Sequence, residues 1–176
     1  MRNFDVLLFQ YKYFKIKEME TLVVNTNLKQ NYINEIADNL NVLLSDVQIH
    51  YMNLRSFHWN VKGNNFFLLH EKFEEFYNDA AAKADEIAER ILSIGKKPFD
   101  SYQKYLATTE IEAVEGLEEG NLMVDIIIKD LNILLAKERL ILEKASENAD
   151  EGTASLMSDF ISEQEKLIWM LTAYRS

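Results

Sequence analysis

There is no cysteine in the chain, and only one proline and five glycines among 176 residues. The missing cysteines exclude disulfide staples, thiolate zinc sites, iron–sulfur clusters and a thiol nucleophile. So few turn-forming residues argue against a sandwich or barrel, which would need a tight turn every eight to twelve residues. No long apolar run exists that would span a bilayer, and no cleavable export signal is recognisable, so the expected compartment is the cytoplasm and no membrane partner is expected. Basic residues are also in short supply. Nineteen Lys and Arg face twenty-nine Asp and Glu, a formal net charge of -10, which excludes a general basic surface for nucleic acid.

What is present is helical period. The first thirty residues stand apart as an aromatic-rich arm with a net charge of +2, and Met19 within it offers an alternative start. From Asn31 onward, Ile33, Ile36, Ala37, Leu40, Leu43, Leu44, Val47, Tyr51, Leu54 and His58 recur at three- and four-residue steps, predicting a helix to Val61 that stops at Gly63-Asn64-Asn65. A second helix is predicted from Phe66 to Ile94, ended by Gly95 with Pro98 beyond it. A longer connection follows, with a short helix over Ser101–Leu106 and capping-box spacing between Thr109 and Glu112. A third helix is expected over Leu117–Ser146, its start blurred by Gly120, and a fourth over Thr153–Tyr174. Four long helices, with one long link between the second and third, read as an all-α four-helix bundle of ferritin-like connectivity over residues 31–176.

Three histidines limit the nitrogen chemistry. His50 and His58 lie eight residues apart, about 80° around the helix axis, so they suit different surroundings. His50 reads as a partly exposed helix residue. On the second helix, His70, Glu74, Asp85 and Glu89 fall within an arc of about 100°. Taken alone they fit either a solvated acidic face, with Glu71, Glu75, Asp79 and Glu86 around them, or a metal site. Eleven residues separate Glu74 from Asp85, about 16 Å along the axis, whereas metal–ligand bonds are about 2 Å. The two pairs therefore cannot share a metal within one helix. Two antiparallel copies across a two-fold axis would bring His70 and Glu74 of one chain to Asp85 and Glu89 of another. A His/carboxylate set without thiolate suits iron, manganese or zinc. The Glu-x-x-His pair of bundles with an intra-chain di-iron site is absent.

The run His58-Trp59-Asn60-Val61-Lys62-Gly63, then Phe66-Phe67, His70-Glu71-Lys72-Phe73 and Asp85-Glu86-Ile87-Ala88-Glu89-Arg90, closely resembles the Dps family of mini-ferritins, the DNA-binding proteins from starved cells. The likeness covers Leu40 to Tyr174. It implies a four-helix bundle with a short helix in the long link, twelve identical subunits in a hollow shell, and Fe(II) oxidised at subunit interfaces by hydrogen peroxide in preference to dioxygen. The ferric mineral is then stored inside, protecting against oxidative stress. Carried over, His58, His70 and Glu74 come from one subunit and Asp85 and Glu89 from its two-fold mate, as metal ligands and catalytic residues of a di-iron ferroxidase site, with Trp59 as a redox neighbour. The family usually has Asp where this chain has Glu74, one methylene longer, so the resemblance does not carry the second iron position over like for like. Glu147, Asp150 and Glu151 are the candidate pore acids, and Glu71, Glu75 and Asp79 the candidate mineral nucleators. The resemblance also carries an alternative, a DNA-compacting nucleoid protein with iron chemistry secondary. Many members bind DNA through a Lys-rich tail, but the arm here is only +2 and the rest of the chain carries -12, so DNA binding is not expected.

Overall fold

The computed structural model describes residues 26–176. Residues 1–25, with most of the N-terminal arm and Met19, lie outside the described residues. Five helices follow in order: α1 Gln30–Asn60, α2 Phe66–Ser93, α3 Tyr102–Thr108, α4 Gly120–Glu147 and α5 Glu151–Arg175. Among the described residues there is no strand, only an isolated bridge between Lys62 and Glu119.

The apolar stripes read from the sequence form the core. Ile36, Leu40, Leu44 and Phe57 of α1, Phe73 and Ile87 of α2, Met123 and Ile127 of α4, and Met157 of α5 are all closed to solvent. Each such side chain contributes roughly 1.5–3 kcal/mol by leaving water. Contacts at the helix ends set the direction of each helix. Lys144 near the end of α4 pairs with Glu35 near the start of α1, so these two run antiparallel. Lys83 and Arg90 of α2 reach Glu163 in the middle of α5 and Asp150 just before its start, so α2 and α5 are antiparallel. Leu69, early in α2, lies against Gly120 at the start of α4, so α2 and α4 run parallel. Parallel neighbours need a crossover, which the link between Ile94 and Glu119 provides.

That link is fastened to α1 by buried polar side chains. Asn41 Oδ1 accepts from the Phe99 N–H at 2.7 Å, Asp46 Oδ1 accepts from the Glu110 N–H at 2.6 Å and the Thr109 hydroxyl at 2.8 Å, and Asn53 Oδ1 accepts from the Val114 N–H at 2.9 Å. Thr109 therefore does not open a capping box. It ends α3, and its hydroxyl is spent on Asp46 and on the Ile111 N–H.

Helix ends follow the expected chemistry elsewhere. Ser101 caps α3, Glu119 caps α4 through the N–H groups of Asn121 and Leu122, and Asp150 caps α5. Gly120 is the first residue of α4, and a side chain there would collide with Leu69, so the glycine that blurred the predicted start is what lets α4 approach α2. At the end of α2, Gly95 takes φ 78°, and the Lys96 N–H reaches the Ile91 carbonyl at 3.0 Å, a Schellman closure. The end of α4 closes in the same way, the Asp150 N–H reaching the Ala145 carbonyl at 3.0 Å, but the left-handed position is Ala149 at φ 54°.

Candidate metal centre

His58 sits in the last turn of α1 and His70 in the second turn of α2, brought together by the short 61–65 turn. Their rings stack 3.8 Å apart at 19°. His58 Nδ1 lies 2.7 Å from the His70 carbonyl oxygen, and His70 Nδ1 lies 2.8 Å from the His58 carbonyl oxygen. A carbonyl can only accept, so each Nδ1 carries the proton. In the neutral form of each ring the lone pair is then on Nε2, the arrangement that a carbonyl imposes on a metal-binding histidine by taking the Nδ1 proton. The reciprocal bonds also give a partner to a carbonyl in the final turn of α1, where intrahelical donors run out. Phe66 stacks on the far side of His70 at 5.0 Å, and Tyr77 meets His58 edge-on at 5.4 Å, so both imidazoles are held in plane.

Glu74 is exposed one turn beyond His70, and its Oε1 accepts from the Tyr77 hydroxyl at 3.3 Å. Asp85 and Glu89 are exposed further along the same helix and pair with no described residue. Helix α2 is uninterrupted between them, so the separation of about 16 Å stands. Among the described residues no three His, Asp or Glu side chains converge to hold a metal ion. The structure thus brings His58 and His70 together with Glu74 one turn beyond, and leaves Asp85 and Glu89 as a separate exposed pair.

The other predicted residues divide. Trp59 is 56% exposed, and the Arg55 guanidinium lies 4.8 Å over its ring. Glu71 is exposed, Glu75 is ion-paired to Lys72 at 2.7 Å, and Asp79 to Lys83 at 2.7 Å. Glu147 and Glu151 are exposed. Asp150 is not a solvent-facing acid: it is 3% exposed and accepts from the Tyr32 hydroxyl at 2.8 Å, the Thr153 hydroxyl at 2.7 Å and Arg90 at 2.5 Å. Burial opposes its ionisation, but the two bonds from Thr153, the one from Tyr32 and the Arg90 charge outweigh it and hold the carboxyl below its ordinary range. It is a capping residue inside a buried network.

His50 also departs from expectation. It is 5% exposed, with Nδ1 3.1 Å from Asp130 Oδ2, and Asn53 adds a bond to the same oxygen. A buried carboxylate on α4, eighty residues away, supplies the partner that the local sequence did not reveal. Nearby, Gln164 Nε2 donates to the wholly buried Glu138 at 2.5 Å. Burial, only partly offset by Gln164, Lys83 and Arg139, pushes the Glu138 carboxyl up to about 7.

A model of the ferritin-like domain matches residues 37–176. The DNA protection during starvation protein of Porphyromonas gingivalis is 44% identical over 156 residues, covering 89% of this chain and 98% of its own. DNA protection during starvation protein 2 of Bacillus anthracis is 40% identical over 140 residues, 80% of this chain and 96% of its own. Among solved structures, the Dps protein of Vibrio cholerae O1, described as one of a broad superfamily of ferritin-like diiron-carboxylate proteins, superposes with a TM-score of 0.84 at 44% identity, covering 85% of this chain and 94% of the other.

Proposed function

Because the chain belongs to the Dps family of ferritin-like proteins, we propose that it oxidises Fe(II), with hydrogen peroxide as the favoured oxidant, at sites shared between two-fold-related subunits of a twelve-subunit shell, and stores the ferric product inside. The observation that carries this reading is the stacked His58–His70 pair, with both Nδ1 protons spent on backbone carbonyls and both Nε2 lone pairs free, His70 lying on the same helix as the unpaired Asp85 and Glu89.

The donor set fits ferrous iron as substrate. Imidazole nitrogen and carboxylate oxygen suit iron, and the absence of thiolate removes the softer competitors. In this reading His58, His70 and Glu74 of one subunit face Asp85 and Glu89 of the partner subunit. The charged oxygens hold the cation, and the neutral imidazoles complete the set without adding positive charge. Two Fe(II) ions each give up one electron. Hydrogen peroxide takes both, its O–O bond breaks, and two protons complete two waters. A paired delivery of electrons leaves no hydroxyl radical, the product of one-electron reduction. Trp59, in the last turn of α1 next to His58, is assigned as a redox neighbour that can supply a stray electron. Glu147 and Glu151 remain the pore acids of the proposal. Glu71, the unpaired member of the nucleator set, is a stronger candidate than Glu75 or Asp79, whose charges are already met by lysines.

A net charge of -10 per chain repels a polyanion, so protection of DNA is assigned to removing iron and peroxide rather than to contact. The test is anaerobic loading with Fe(II), followed by hydrogen peroxide or dioxygen, with oxidation followed optically and iron counted per shell by mass. Oxidation should be faster with peroxide, at about one peroxide per two Fe(II). Light scattering should give about twelve subunit masses. A monomer with full activity would sink the shared site.

A further inference from the structure

Of the candidate carboxylate ligands on α2, Glu74 is the one with a specific holder. It is exposed, flexible, and one methylene longer than the aspartate expected at its position. The group that touches it is the Tyr77 hydroxyl, donating to Oε1 at 3.3 Å. Tyr77 itself is well fixed. It is half-buried, its ring meets His58 edge-on at 5.4 Å, and it meets Tyr51 edge-on at 6.2 Å. His70, Glu74 and Tyr77 fall within about 60° of one another around the helix. One side chain therefore contacts a nitrogen donor from α1 and an oxygen donor from α2, and both contacts come from a ring locked between the two helices.

We propose that Tyr77 is the positioning residue for Glu74 in metal binding, and that it is what lets a glutamate serve here. The inference rests on the reading of His58, His70 and Glu74 as one half of the iron site. A carboxylate has two oxygens. The tyrosine hydroxyl engages Oε1, which leaves Oε2 for a cation and restricts the swing of the longer arm. Donors that orient a metal-binding group from behind typically contribute about 10–100-fold in metal affinity. The contact is specific to the length of the side chain. At 3.3 Å it is already long for an O–H···O bond, so withdrawing the carboxyl by one methylene takes it out of reach. The hydroxyl therefore matters with Glu at position 74 and not with Asp.

The experiment uses the assembled full-length protein titrated with Co(II) in the absence of oxidant, reading the visible absorption of the bound ion, with light scattering to show that each variant assembles alike. The variants are Glu74→Gln, Tyr77→Phe, Glu74→Asp and the Tyr77→Phe/Glu74→Asp double. Tyr77→Phe keeps the ring and its packing and removes only the hydroxyl. Glu74→Gln should lose the second Co(II) equivalent per site. Tyr77→Phe should weaken that equivalent by about tenfold, leave the first unchanged, and slow iron oxidation. Glu74→Asp and the double variant should bind Co(II) alike. Wild-type Co(II) binding by Tyr77→Phe, with Glu74→Gln still defective, overturns the role of Tyr77 while leaving the shared site intact. Equal losses from Tyr77→Phe in the Glu and Asp backgrounds overturn it as well, since the hydroxyl would then act through another group. If Glu74→Gln binds both equivalents as wild type does, Glu74 is not a ligand, and the reading of that half-site fails together with the inference.

Discussion

The interior of the bundle and the outer face of α2 both carry charge, but they handle it in opposite ways. Inside, the principal charged groups meet partners within the chain: His50 with Asp130, Asp150 with Arg90, and Lys83 with Asp79 and Glu163. On the face of α2, Asp85 and Glu89 meet none of the described residues, and His58 and His70 spend one nitrogen each on the backbone and keep the other. An interior charge must be paired where it folds, because an unpaired one costs several kcal/mol. A surface charge can wait. The difference separates groups that hold the subunit together from groups that act only when something else arrives.

The sharpest way to break this comparison is to remove the waiting carboxylates. Asp85→Ala or Glu89→Ala should cut iron oxidation by at least about tenfold while leaving subunit stability within about 0.5 kcal/mol, since neither is paired and alanine favours helix. A double assay of oxidation rate and guanidinium unfolding checks both halves. Sharing can be read directly by co-refolding a His58→Ala/His70→Ala chain with an Asp85→Ala/Glu89→Ala chain. Random pairing makes half the dimers mixed, and each mixed dimer restores one of its two sites, so about a quarter of all sites should recover. If one chain supplied every ligand, activity would stay at the mutant baseline.

The interior should respond in the reverse sense. Asp150→Ala removes the cap of α5 and strands Arg90 and the Tyr32 hydroxyl, and should cost about 3 kcal/mol by denaturant unfolding. Its folded-state carboxyl is held below the unfolded value of 3.8, so its stabilisation is full above that pH and is lost as the pH falls through the folded value.

Glu138 has the opposite sign. Its carboxyl is pushed up to about 7 from 4.5, so the folded state keeps a proton that the unfolded chain releases. Stability should therefore fall as pH rises from 4.5 to about 7, by roughly 3 kcal/mol in all. The orphan atoms explain why the neutral form suits the fold. Glu138 Oε2 and Gln164 Oε1 both lack partners, and a proton on Oε2 would join them beside the existing bond. Glu138→Gln should flatten that part of the pH profile and stabilise the protein at pH 8, at fixed protein concentration. An unchanged slope would refute the assignment. The smallest effect should come from Ala149→Gly, which relieves a left-handed alanine at the end of α4 and should add about 0.5–1 kcal/mol without touching oxidation.

Much of this was legible in the residues, and what was not has a common cause. Predicted Asn31–Val61 is observed as Gln30–Asn60, and predicted Phe66–Ile94 as Phe66–Ser93, because apolar period and the glycines at 63 and 95 are local signals. The separation of His70 and Glu74 from Asp85 and Glu89 also follows from one helix's own pitch. The surroundings of His50, Asp150 and Thr109 are not legible in the sequence because their partners, Asp130, Arg90 with Tyr32, and Asp46, lie sixty to more than one hundred residues away. Asn41, Asp46 and Asn53, which fasten the long link, interrupt no apolar pattern strongly enough to be noticed. By its spacing Tyr77 belongs to an apolar stripe, and its hydroxyl leaves no signature in that pattern.

The unbroken course of α2 has one further consequence. In the proposed dimer the helix acts as a ruler. The midpoint between its two donor pairs falls near residues 79–80, so the two-fold axis must cross there, and the two shared sites must lie about 22 Å apart along the helix direction. Both distances are set by counting residues, not by any contact that could be tuned alone. Inserting a single residue between Glu74 and Asp85 would turn one pair by about 100° against the other and misalign both sites of the dimer at once.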